Sequence, residues 1–210
     1  MIQNIRIVLA LVCFAAVSFT SVAGGGGGDV AKSMAASKMR VKEITQVLKQ
    51  NPQNAQAYAD RAAAKLELGD AFGAIKDFNA AVAIAPENVN FLQARGNAFI
   101  MVEAFKEALN DFNVALLNNQ SVELIYDRAV AKFHLEDYEG ALSDLDQVVA
   151  AAPTHDKALY NRAVVKMDMK QTEGAIADLN VFLQQNPNHE QALFTLELAK
   201  SQLEKKIAKR

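Results

Sequence analysis

The sequence reads as an all-α solenoid, a row of helical hairpins stacked on one another, and three observations carry that reading. Residues 126–153, YDRAVAKFHLEDYEGALSDLDQVVAAAP, come back 34 residues later as YNRAVVKMDMKQTEGAIADLNVFLQQNP at 160–187, with Tyr, Arg-Ala, Gly-Ala, Asp-Leu and Pro in register. The four prolines stand at 52, 86, 153 and 187, so their spacings of 34, 67 and 34 mark the same period. Within each period the apolar residues recur at helical spacing. A piece repeated at fixed period buries its apolar face by stacking on a copy of itself.

The elements follow in chain order. Residues 1–23 carry Arg6, then the apolar run IVLALVCFAAVSF, then TSVA with Ser21 and Ala23 as small residues. This is the layout of a secretory signal peptide cleaved after Ala23, which would send the mature chain to the periplasm or outside the cell. This apolar stretch of 13 residues is short of the roughly 20 needed to span a bilayer; an uncleaved anchor is the alternative. Cys13, the only cysteine, falls inside this leader, so the mature chain is expected to have no disulfide, thiol nucleophile or cysteine metal site. The glycine run 24–28 has no Gly-Lys-Ser/Thr after it and reads as a flexible tether.

Residues 29–51 match only the second helix of a hairpin, with Ile44 and Val47 on the core positions and Arg40 where a small residue would stand. Four repeats follow over 52–189: repeat one at 55–88, two at 89–121, three at 122–155 and four at 156–189. In repeat one, AQAYADRAAAKLEL leads to GDAFG, then AIKDFNAAVAIA, then Pro86. Gly69 suits the left-handed residue that ends a helix, Asp70 can start the next, and Pro86 cannot continue the second. Each repeat is thus two helices and a short turn. Residues 190–210 begin like another first helix, with Leu193 and Leu196 inward, then turn charged and basic as a C-terminal cap.

Small residues recur where the helices of a hairpin touch. The eighth position holds Ala62, Gly96, Ala129 and Ala163, and the twentieth holds Ala74, Ala108, Ala141 and Ala175. Large residues fill the twenty-fourth: Phe78, Phe112, Leu145 and Leu179. On these marks the chain resembles the tetratricopeptide repeat family over about 135 residues. It departs from that pattern at the seventh position, which is arginine each time (Arg61, Arg95, Arg128, Arg162), with an aspartate sixteen residues on (Asp77, Asp111, Asp144, Asp178). These pairs read as structural ion pairs, within a repeat or between neighbours.

The resemblance implies a right-handed superhelix whose first helices line a concave groove for a peptide or helix of a partner. On the family's lining positions, repeat two offers Gln93, Asn97 and Ile100, repeat three Tyr126, Val130 and Phe133, repeat four Tyr160, Val164 and Met167, and the last helix Phe194. The alternative has Phe133, Val164 and Leu198 packing on one another or beneath the last helix, because anchors and core look alike in sequence. The family's clamp for a terminal carboxylate is matched only in part: Asn97 and Lys157 fit, but Gln93 stands for its lysine, Asp127 for an asparagine and Asn161 for an arginine.

Composition and motifs exclude more than they name. With 22 Lys+Arg against 24 Asp+Glu and no basic stripe, nucleic acid is not the expected partner. His134, His155 and His189 lack metal-ligand spacing, and HExxH, GxSxG and CxxC are absent. No cofactor or metal is expected, and no enzymatic activity. Asn119-Gln120-Ser121 is a glycosylation sequon. The expected function is an exported interaction scaffold for a protein or peptide partner. Self-assembly through end-to-end stacking, or an accessory role in an envelope enzyme complex, stands beside it.

Overall fold

The computed structural model of the chain describes residues 27–208; the signal peptide expected at 1–23 lies outside them. Among the described residues there are ten α-helices and no strand, the all-α tetratricopeptide architecture. They are α1 (Gly27–Gln50), α2 (Ala55–Glu67), α3 (Ala71–Ile84), α4 (Val89–Met101), α5 (Phe105–Asn118), α6 (Val122–His134), α7 (Tyr138–Ala151), α8 (Asp156–Asp168), α9 (Thr172–Gln185) and α10 (Glu190–Ile207). The chain divides into two compact bodies, one ending at Leu124 and the other beginning at Ile125. In the first, α1 packs on α2, α2 on α3, α3 on α4 and α4 on α5; in the second, α7 packs on α8, α8 on α9 and α9 on α10.

The first helix of each repeat, and α10, start for a local reason. The residue two after the proline supplies the cap: Asn54 and Asn88 accept from the N–H groups of Ala57 and Phe91 through Oδ1, at 3.0 and 3.2 Å. His155 and His189 take the same place, and their Nδ1 atoms accept from the N–H groups of Ala158 and Ala192 at 3.1 and 3.2 Å. Each satisfies one of the backbone donors that a helix start leaves open. Where repeat two lacks the proline, Ser121 Oγ accepts from Leu124 N–H at 3.2 Å.

The turns inside the hairpins are also alike. All four place their fifteenth residue at positive φ: Gly69 at 79°, Glu103 at 60°, Glu136 at 63° and Lys170 at 60°. In each, the next N–H returns to a carbonyl in the last turn of the first helix, as Asp70 N–H does to Lys65 at 2.9 Å and Asp137 N–H to Lys132 at 3.0 Å. Only Gly69 announces this conformation in the sequence, because glycine alone adopts it without a Cβ penalty. Asp70 starts α3, as expected, by accepting from Gly73 N–H at 2.9 Å.

The small positions do close the hairpins. Ala74, Ala108, Ala141 and Ala175 have no exposed surface, and a Cβ added to Gly96 would fall 2.5 Å from the Phe112 ring.

The end helices differ from the expectation. α1 begins at Gly27, inside the glycine run, and buries Leu48 and Ser37, while Ile44 is half-buried and Val47 is exposed. At the other end Leu196 is buried, but Leu193 is exposed. The cause is the same at both ends. Among the described residues no first helix precedes α1 and no second helix follows α10, so the side chains that would meet them face solvent. Arg40, standing where a small residue would, instead reaches Glu67 at 3.0 Å.

Substituting Ala141→Leu should cost about 1–3 kcal/mol through overpacking of the α6–α7 seam, read as a lower urea midpoint at unchanged slope. An unchanged midpoint would mean that the seam has room to spare.

Candidate partner-binding site

The first helix of each repeat carries the groove positions, and a buried ion pair sets its place. In repeat one, Arg61 Nε and Nη2 donate to Asp77 Oδ2 and Oδ1 at 2.8 and 2.6 Å. Repeats two, three and four reproduce this fork with Arg95–Asp111, Arg128–Asp144 and Arg162–Asp178, every contact between 2.5 and 2.9 Å. The four aspartates are all buried. In repeats one, two and four the remaining guanidinium nitrogen reaches back sixteen residues to the preceding second helix. Arg61 Nη1 donates to Thr45 at 3.2 Å, Arg95 Nη1 to Asn79 at 3.0 Å and Arg162 Nη1 to Asp146 at 2.9 Å. Arg61, Arg95 and Arg162 each therefore tie their own hairpin to the helix before it, which answers to both halves of the expectation.

The sequence reading missed a third member. Lys65, Lys132 and Lys166, at the eleventh position, bring Nζ to 2.7 Å from Asp77, Asp144 and Asp178. Their recurrence at a fixed offset of twelve from the aspartate was the available signal. Burial pushes the Asp77 carboxyl up, but hydrogen bonds from Arg61 and Lys65 and their charges outweigh it and hold the group below the usual carboxylate range.

In the second body the fifth positions form a second ladder. The Tyr126 ring lies 5.0 Å from that of His155, and the Tyr160 ring 5.4 Å from that of His189. Asn161 Nδ2 donates to the Tyr126 hydroxyl at 2.9 Å, and the Tyr160 hydroxyl pairs with Thr195. Burial raises the Tyr160 phenol above its ordinary value, and Thr195 offsets part of that rise. Two of the three histidines thus serve as caps and ring partners. Their alignment with Asn54 and Asn88 pointed to that role.

These contacts decide what the expected groove residues can offer. Val130, Tyr160 and Val164 are buried; Tyr160 and Val164 belong to a cluster with Leu179, Phe182 and Leu196, against which Phe133 and Met167 pack. Tyr126, Phe133 and Met167 remain half-buried, and Phe194 is 63% exposed. In the first body Gln93 and Asn97 are half-buried, and Ile100 is buried. The packing alternative therefore describes Val164 and Phe133, whose surfaces meet one cluster. Among the described residues no group of three His, Cys, Asp or Glu side chains could hold a metal ion, and no helix is long and apolar enough to cross a membrane.

Two models of the tetratricopeptide repeat match this chain, at residues 126–203 and 41–89, together more than half of its length. The chain belongs to the tetratricopeptide-repeat family. DnaJ homolog subfamily C member 3 of Gallus gallus is 29% identical over 110 residues, a match covering 45% of this chain and 22% of that protein. The chain thus matches about a fifth of that relative's length. Among solved structures, YrrB, a TPR protein with an unusual peptide-binding site, is similar at a TM-score of 0.66 and 19% identity, over 77% of this chain and 84% of its own. The first TPR of Spaghetti (RPAP3), bound to the HSP90 peptide SRMEEVD, is similar at 0.53 and 24%, over 55% and 92%. At these identities the likeness is one of fold.

A carboxyl held below its unfolded value gives stability that is full above the ordinary carboxylate range and is lost as pH falls through the folded value. Thermal melts taken between about pH 6 and pH 2 should show Asp77→Asn less stable than the parent at the upper end and losing less on acidification. Parallel losses in the two proteins would show that Asp77 does not couple folding to pH.

Proposed function

We propose that this chain is an exported, non-catalytic scaffold that holds a peptide or helix of a protein partner against the first helices of its repeats. Phe194 carries the reading. It stands at the fifth position of α10, in register with Tyr126 and Tyr160, yet it is 63% exposed. Covering such a ring is worth about 1.5–3 kcal/mol, and aromatic anchors of this kind dominate binding energies at interfaces. The half-buried faces of Tyr126, Phe133 and Met167 extend the apolar character of the second body's first helices, while Gln93 and Asn97 give the first body a polar counterpart.

Two structural relatives, by their descriptions, involve peptide binding, which supports a peptide-like ligand here. A terminal-carboxylate clamp is a poor fit, since Asn161 already holds the Tyr126 hydroxyl and Asp127 would repel an anion. Export follows from the leader read at 1–23, with cleavage near Ala23. The absence of a metal, thiol or triad motif from the mature sequence supports a partner role without chemistry of its own.

The test uses the mature protein as bait in its native envelope, beside Phe194→Glu and a control, Phe72→Glu, which alters a ring 77% exposed on α3. Circular dichroism should first show all three equally helical. A partner kept by the parent and the control, and reduced at least tenfold with Phe194→Glu, is the expected result. Equal capture by all three overturns the assignment of this surface.

A further inference from the structure

Repeat two departs from all the others at two linked positions, eleven and nineteen, and shares with repeat four, which has Gln171, the lack of a capping aspartate at position sixteen. In repeats one, three and four the lysine at position eleven reaches Oδ2 of the clasped aspartate. In repeats one and three the same ammonium also donates to a glycine carbonyl at position nineteen, Gly73 at 3.2 Å and Gly140 at 3.4 Å. Those glycines are required beside a capping aspartate: a Cβ there would fall 2.0 Å from the Asp70 carboxylate and 2.2 Å from that of Asp137. Repeat two has Phe99 in place of the lysine, Ala104 in place of the capping aspartate and Glu107 in place of the glycine. Ala104 makes no side-chain cap, which leaves room for the Glu107 side chain.

Asp111 is therefore treated differently from its three counterparts. It is as deeply buried as they are, and Arg95 Nε reaches its Oδ2 at 2.7 Å, but no lysine of its repeat joins that oxygen. Beside it opens a cleft of about 400 Å³ lined by Arg95, Phe99, Lys106, Glu107, Asn110 and Asp111. The Arg95 guanidinium carbon lies 5.8 Å over the Phe99 ring.

We propose that this cleft binds a primary ammonium group, the side chain of a lysine on a protein partner, in the place that Lys65, Lys132 and Lys166 occupy in the other repeats. Asp111 Oδ2 has acceptor capacity for a second donor, as Asp77, Asp144 and Asp178 show by using it. Glu107 adds a second carboxylate to the lining, Asn110 an amide oxygen, and Phe99 a ring face that attracts cations. Lys106 lines the same cleft as a like charge, which the Asp111 and Glu107 carboxylates have to outweigh. A compact ammonium on a flexible stem suits a point acceptor better than the broad fork of a guanidinium. None of these residues is a groove position, so this site stands or falls apart from the groove.

The probe is Nα-acetyl-lysine methylamide, titrated at millimolar concentration into the 15N-labelled mature chain and followed by amide chemical shifts. The control probe is its Nε-acetylated form, which keeps the stem and loses the charge. Phe99→Lys supplies the ammonium from within, as the other repeats do. Saturable shifts confined to 95–111 with the charged probe, absent with the acetylated one and weakened at least tenfold in Phe99→Lys, are the expected result. No saturable shift, or equal shifts with the acetylated probe, overturns the proposal even if the variant fails to fold. Unchanged binding in a folded Phe99→Lys overturns it too.

Discussion

The buried clasp between arginine and aspartate is the interaction on which the rest of this structure depends. Asp77, Asp111, Asp144 and Asp178 lie in the seam between two helices, where a lone carboxylate would be several kcal/mol out of place. The guanidinium fork meets both oxygens of each, and in three of four repeats a lysine ammonium joins. Because the third guanidinium nitrogen reaches the preceding helix in repeats one, two and four, the same residue fixes the angle within a hairpin and its contact with the one before. Small residues at the eighth and twentieth positions then let the backbones close around that fixed point.

This arrangement leaves the first helices with a divided task. Positions that would contact a ligand also receive the neighbouring hairpin, and in the second body the neighbour takes most of them. Tyr126 and Tyr160 are held at both ends, by a histidine ring and by Asn161 or Thr195. Such rings are rigid, and a partner meeting them would lose little side-chain entropy of theirs on binding. Among the described residues no further hairpin covers α10, and there the ring of the same register, Phe194, is exposed.

The hairpins, their turns and the pairing of Arg61 with Asp77 and its counterparts were legible in the sequence, because a 34-residue period shows each one several times. Burial of the site was less so. Whether Val164 faces core or solvent depends on a modest rotation of α8, and the same apolar residue satisfies both readings. Val47 and Leu193 were placed inward because they stand on the apolar positions of the repeat; the helices that would cover them are not present among the described residues. The left-handed residues Glu103, Glu136 and Lys170 gave no sign of themselves, since their side chains tolerate the conformation without favouring it. His155 and His189 could have been read as caps from their register with Asn54 and Asn88.

A double-mutant cycle on Arg95 and Asp111, the one clasp that no lysine of its repeat joins, with Arg95→Met and Asp111→Leu measured by urea denaturation, tests the clasp most directly. Removing either partner should cost about 3–5 kcal/mol by stranding a buried charge, and removing both should cost far less than the two single losses together. Strictly additive losses would show that the pair is not coupled, and the clasp would then not be what holds these hairpins in place.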